Sequence, residues 1–151
     1  MPDPFLTELP KIVSIFALAF FSFWSAIPAG LALGLPPLIV IGTTAASYAA
    51  GVGVVTLAGG RLRTWIMRRI GNRAALDPES RLGRIWRRWG MIGLGMIAPF
   101  TVGAQIGAAI GLALDAPPRR LFAIMAGCGL AWSIALTAAV ALGAAGVQSA
   151  L

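Results

Sequence analysis

From Ile12 to Gly60 the chain runs without a single charged side chain, and two further runs, 89–114 and 121–151, are equally uncharged. A helix needs about 20 apolar residues to cross a bilayer, so each run is long enough to enter or span one. A soluble domain devotes about a quarter of its residues to charge, whereas here Asp, Glu, Lys and Arg together make up 11% and hydrophobic residues 58%. The runs are continuous and rich in Ala and Leu. They lack the two-residue alternation of a membrane barrel, so helices are expected and strands are not. The expected fold is an all-α integral membrane protein with a single membrane domain over residues 1–151.

Charge is concentrated between the first two runs. Nine of the eleven arginines lie in 61–88 (Arg61, Arg63, Arg68, Arg69, Arg73, Arg81, Arg84, Arg87 and Arg88), against Asp77 and Glu79, a net charge of +7. Basic loops stay on the cytoplasmic side, so this connector is expected there. Leu62, Trp65, Ile66 and Ile70 recur at helical intervals, as do Leu82, Ile85, Trp86 and Trp89. That spacing predicts two short amphipathic helices in the membrane interface, with Arg toward anionic headgroups, rather than a nucleic-acid surface. Gly71 and Asn72 are expected to stop the first, and Asp77, Pro78 and Glu79 to start the second.

The uncharged runs contain a repeat. Residues 30–37 read GLALGLPP and residues 111–118 read GLALDAPP, 81 positions apart. The segment after the first Pro-Pro reaches the cytoplasmic Arg61, which puts Pro36 and Pro37 on the far side if it spans. The segment after the second begins at Arg119 and Arg120, which belong to the cytoplasm. The copies are then expected to be an inverted repeat, 12–60 and 89–148, joined by the basic connector 61–88.

Residues 89–116 begin beside Arg87 and Arg88 and end beside Arg119 and Arg120. Both ends are cytoplasmic, and two full spans would need about 40 residues. A re-entrant hairpin is expected instead, its tip near APFTVGAQ, where Pro99 removes a backbone donor, Gly103 permits a turn, and Thr101 and Gln105 satisfy freed backbone groups. Non-helical backbone at membrane depth survives only inside protein or along a cavity, so this tip is the leading candidate for a substrate pathway. The repeat predicts a matching hairpin over 12–35, breaking around WSAIPAG at Ser25, Pro28 and Gly30. A single crossing by 12–35, about 36 Å long, remains the alternative.

Gly103, Gly107 and Gly111 form a ladder that lets helices approach closely, within the hairpin or in a homo-oligomer. With no His in the chain, Asp115 with Arg119 and Arg120 is the set expected to serve any ion coupling, while the plainer reading of Asp115 is a loop residue beside Pro117 that pairs with Arg119 or Arg120. Cys128 reads as a small packing residue. No cofactor or metal is expected, and no nucleophile stands near a base, so an enzyme is not expected. The acidic start, MPDPFLTELPK, does not read as a signal peptide.

The segments AIPAGLALGLPP, the basic loop, RWGMIGLGMIAPFTVGAQIGAAIGLAL and the closing span with Trp132 resemble the small multidrug export protein family, bacterial inner-membrane proteins related to the DedA and VTT proteins. The resemblance covers residues 15–140. It implies paired re-entrant hairpins and movement of lipids, lipid-linked carriers or small molecules across the membrane. Ser22, Phe23, Trp24 and Ser25 stand where the family often carries an acid and a base, and MIAPF lacks the arginine of the DedA hairpin. A noncatalytic membrane subunit that assembles with other proteins is the alternative expectation.

Overall fold

The structure is a computed structural model that describes residues 4–70, 81–101, 103–114 and 116–150. Those residues form six helices and no strand: α1 (Pro4–Phe21), α2 (Phe23–Ala32), α3 (Pro37–Ile70), α4 (Arg81–Thr101), α5 (Gly103–Ala113) and α6 (Pro118–Ala150). Two are long and apolar enough to cross a membrane, through Pro37–Ala58 of α3 and Pro118–Ala144 of α6. Only 39% and 28% of their most apolar windows are buried within the chain. A soluble core helix would hide most of such a surface, whereas these turn large apolar side chains outward, among them Leu38, Val54, Leu57 and Leu142.

Both long helices start for the same local reason. A proline pushes the residue before it away from helical dihedrals, so the first member of each Pro-Pro stays outside the helix. The second becomes the first helical residue, where its missing N–H costs nothing. Pro37 therefore opens α3 and Pro118 opens α6.

Two compact units divide the chain, residues 1–48 with 130–151 and residues 49–129. In the first, α1 packs against α2. Ile15 and Ala19 of α1, Phe23, Ala26, Ile27 and Gly30 of α2, and Val40, Thr44 and Ser47 of α3 are buried. The spacing of three and four residues brings each set onto one helix face. The Phe23 and Tyr48 rings meet edge to face at 5.4 Å, a favourable quadrupole arrangement.

In the second unit α4 packs against α5. Gly90, with φ 57° and ψ −145°, divides the basic stretch 81–89 of α4 from the apolar limb 91–101. Such a backbone is open to glycine and strained for other residues. Helix α5 is enveloped, its residues 107–113 all being buried.

The two units share local geometry at the sequence offset of 81. Ala32 ends α2 and Ala113 ends α5. The Leu35 N–H donates to the Gly30 carbonyl at 3.1 Å, and the Ala116 N–H to the Gly111 carbonyl at 3.1 Å. Val40 donates to Pro36 at 3.1 Å and Leu121 to Pro117 at 2.9 Å. Each pair of bonds closes the outgoing helix and starts the span behind it.

Two boundaries differ from the sequence reading. The first stretch of the basic connector is not a separate helix: 61–70 continue α3 without a break. No proline interrupts it, and the Gly59-Gly60 pair weakens a helix by only about 1 kcal/mol per residue. The first hairpin breaks at Ser22 rather than within WSAIPAG, since Ser25, Pro28 and Gly30 all lie inside α2. Pro28 forfeits a single i→i−4 bond there, and the helix runs through it. The expected cap at Asp77, Pro78 and Glu79 lies outside the described residues.

Candidate functional site

The breaks inside the two hairpins are where backbone leaves regular helix. In the first unit, Ser22 has φ −143° and its side chain makes no capping bond. Its carbonyl accepts from the Ala26 N–H at 3.3 Å and from the Ser25 hydroxyl at 3.2 Å, while its N–H donates to Leu18 at 2.7 Å. Ser25 thus serves the break it stands beside. Pro28 is exposed on α2, and Gly30 is buried against Val40 and Ile15.

In the second unit the break falls between Thr101, the last residue of α4, and Gly103, the first of α5. Gly103 has φ +78°, in the left-handed region that other residues enter at a cost. Pro99 is buried one turn before it. Gln105 turns its amide toward Gly51 of α3, where an added Cβ would meet Nε2 at 3.1 Å. Gly51 is what lets this polar group lie flat on an apolar helix.

The glycine ladder is used inside the same unit. A Cβ on Gly107 would fall 2.7 Å from the Ala98 Cβ, and one on Gly111 would fall 2.7 Å from the Leu121 Cδ1. Both glycines are buried between the hairpin limb and α6, so within the chain they serve close packing of α5 against α4 and α6. Gly95, outside the ladder, works likewise against Cys128, whose Sγ would lie 2.9 Å from its Cβ.

Of the three residues expected to serve ion coupling, Asp115 lies outside the described residues. Arg119 and Arg120 are exposed in the first turn of α6. In the connector, Arg68 of α3 and Arg84 of α4 are exposed. Among the described residues, no three His, Cys, Asp or Glu side chains gather as metal ligands do.

The sequence reading passed over a buried hydroxyl seam in the first unit. Thr44 is fully buried and its hydroxyl lies 2.8 Å from its acceptor, the Val40 carbonyl, and 3.1 Å from Ser133 Oγ of α6. Ser47, equally buried, donates to the Phe16 carbonyl of α1 at 2.7 Å. Thr137, one turn beyond Ser133, is 1% exposed, and its hydroxyl has no partner among the described residues. The signal was present in the spacing: Thr44, Ser47 and Tyr48 share one face of α3, and Ser133 and Thr137 share one of α6. Interhelical hydroxyl pairs of this kind hold apolar helices in register.

No protein-family model matches the chain, and neither a curated protein nor a solved structure matches it.

Proposed function

We propose that this chain is a multi-pass protein of the bacterial inner membrane, DedA-like in plan, in which two re-entrant hairpins enter from opposite faces and form a pathway for small molecules or lipid-linked substrates. The supporting observation is the recurrence, at an offset of 81, of hairpin end, Pro-Pro start and long apolar helix, with Arg119 and Arg120 in the second copy where the first has Leu38 and Ile39. Similar helix ends, with basic residues beside only the second, fit an inverted repeat under the positive-inside rule. The basic connector is then cytoplasmic. The protein works without catalysis, by exposing the polar breaks at Ser22–Ser25 and Thr101–Gln105 to its cargo.

One observation favours the alternative, a noncatalytic subunit of a larger membrane assembly. Gln105 lies against Gly51, which closes the second tip against α3. The two readings separate on wetness. In a Cys128→Ala background, Gln105→Cys reacts with a membrane-impermeant thiol reagent if the tip lines an aqueous path, and complete protection favours the assembly role. Proteoliposomes loaded with fluorescent phospholipids then test movement directly, lipid scrambling above empty vesicles being the expected result.

A further inference from the structure

Behind the second Pro-Pro, within the second unit, lies a half-open groove of about 310 Å³ lined by Gly53, Thr56 and Leu57 of α3 and by Pro118, Arg119 and Phe122 of α6. Positions 53, 56 and 57 share one face of α3, and 118 and 122 are one turn apart on α6. The walls are apolar at Leu57 and Phe122, both exposed, and the cation is Arg119. Among the described residues, the first intrahelical bond of α6 runs from the Leu121 N–H to Pro117, which places the N–H groups of Arg119 and Arg120 ahead of that bond. A guanidinium beside the positive end of a helix favours a phosphate.

The first copy supplies the contrast. The positions 81 residues away are Ile134, Thr137 and Ala138 with Pro37, Leu38 and Ile41, which carry no charge at all. The groove's apolar elements thus recur while its cation does not. Topology alone explains a pair of arginines near this end, but it does not require one of them to line a cavity together with an aromatic ring.

We infer that this groove binds the phosphate headgroup of an anionic phospholipid, with Arg119 and the α6 N-terminus holding the phosphate and Leu57 and Phe122 carrying the first methylenes of the acyl chain. The volume is at the small end of ligand sites, which admits a headgroup and leaves the rest of the lipid in the bilayer. Gly53 provides the floor. A Cβ there would meet only the Phe122 ring, at 3.5 Å, so a larger side chain fills the groove without displacing backbone. The site rests on the membrane reading but not on transport: an anionic lipid held in one leaflet serves a transporter and an assembly subunit alike.

The test uses the full chain purified in detergent, with phosphatidylglycerol and phosphatidylcholine of identical acyl chains as probes and native mass spectrometry as the readout. Phosphatidylglycerol is expected to be retained over phosphatidylcholine. Arg119→Leu, which copies Leu38, is expected to weaken that retention roughly fivefold to tenfold, and Arg119→Lys to keep most of it. Gly53→Leu, which leaves the charge in place, is expected to expel the lipid, and it decides the matter if Arg119→Leu fails to fold. Equal retention of the two lipids, or unchanged retention in both Arg119→Leu and Gly53→Leu, overturns the inference. Displacement of the lipid by millimolar inorganic phosphate also overturns it, in favour of a soluble anion. Recovery of the chain in the aqueous phase without detergent defeats the membrane reading itself, a different outcome from loss of headgroup preference.

Discussion

Gly111 lies so close to Leu121 that a Cβ added to it would stand 2.7 Å from Cδ1 and 3.3 Å from Cγ. Gly30 and Val40, 81 residues earlier, stand in the same relation, with 2.9 Å to Cγ2. In each copy the last turn of the hairpin presses its glycine against the first turn of the span. A glycine at such a point lets the neighbouring side chain pack directly on the helix backbone, where dispersion contacts accumulate.

Ala at either glycine is therefore destabilising. Overpacking costs about 1–3 kcal/mol, and Ala recovers about 0.5–1 kcal/mol of helix propensity. The net loss is readable as a lower midpoint of thermal unfolding in detergent. Leu121 is fully buried, so Leu121→Ala is itself destabilising, but the double variant with Gly111→Ala should lose less than the sum of the two single losses, because the clashing atoms are gone. Gly42, Gly127 and Gly143 have nothing within 4 Å of an added Cβ, so Ala at these positions is neutral or mildly stabilising. Equal effects at all five positions would contradict this packing.

The two hairpin breaks differ in what they tolerate. Gly103 has φ +78°, so Gly103→Ala costs about 1–2 kcal/mol. Ser22 has φ −143° and no side-chain cap, so Ser22→Ala should change stability by less than about 0.5 kcal/mol. Chemical denaturation of the two variants side by side checks the contrast.

The hydroxyl seam divides by partner. A double-mutant cycle of Thr44→Val with Ser133→Ala, whose hydroxyls lie 3.1 Å apart, should give a coupling of about 0.6 kcal/mol, the usual size between membrane helices. Thr137 is buried, and its hydroxyl has no partner among the described residues. Thr137→Val keeps its shape and removes an unmatched polar group, so it should raise the unfolding midpoint.

Much of this plan was legible because charge and proline are strong local signals. Pro37 and Pro118 fix where the long helices begin, and the APFTVGAQ reading located the second break, which falls between Thr101 and Gly103. The first break reads as lying around WSAIPAG, at Ser25, Pro28 and Gly30, because an isolated proline beside a glycine resembles a helix end, whereas α2 runs through all three residues. The run 61–70 read as its own helix because its composition changes at Arg61, but a change from apolar to basic alters which surroundings a helix meets without altering its backbone. The seam at Thr44, Ser47 and Ser133 was not legible as a contact, since nothing local says that two small hydroxyls 89 residues apart are partners. The ladder of Gly107 and Gly111 was legible as packing, and the structure assigns its partners to Ala98 and Leu121.

The claim that the two hairpins enter from opposite faces is tested most directly by labelling Pro36→Cys and Pro117→Cys, equivalent exposed positions, each in a full chain carrying Cys128→Ala. A membrane-impermeant maleimide applied to intact spheroplasts should label position 36 at once and position 117 only after the membrane is permeabilised. Labelling of both positions from the same side would contradict the inverted repeat, and with it the pathway built on it.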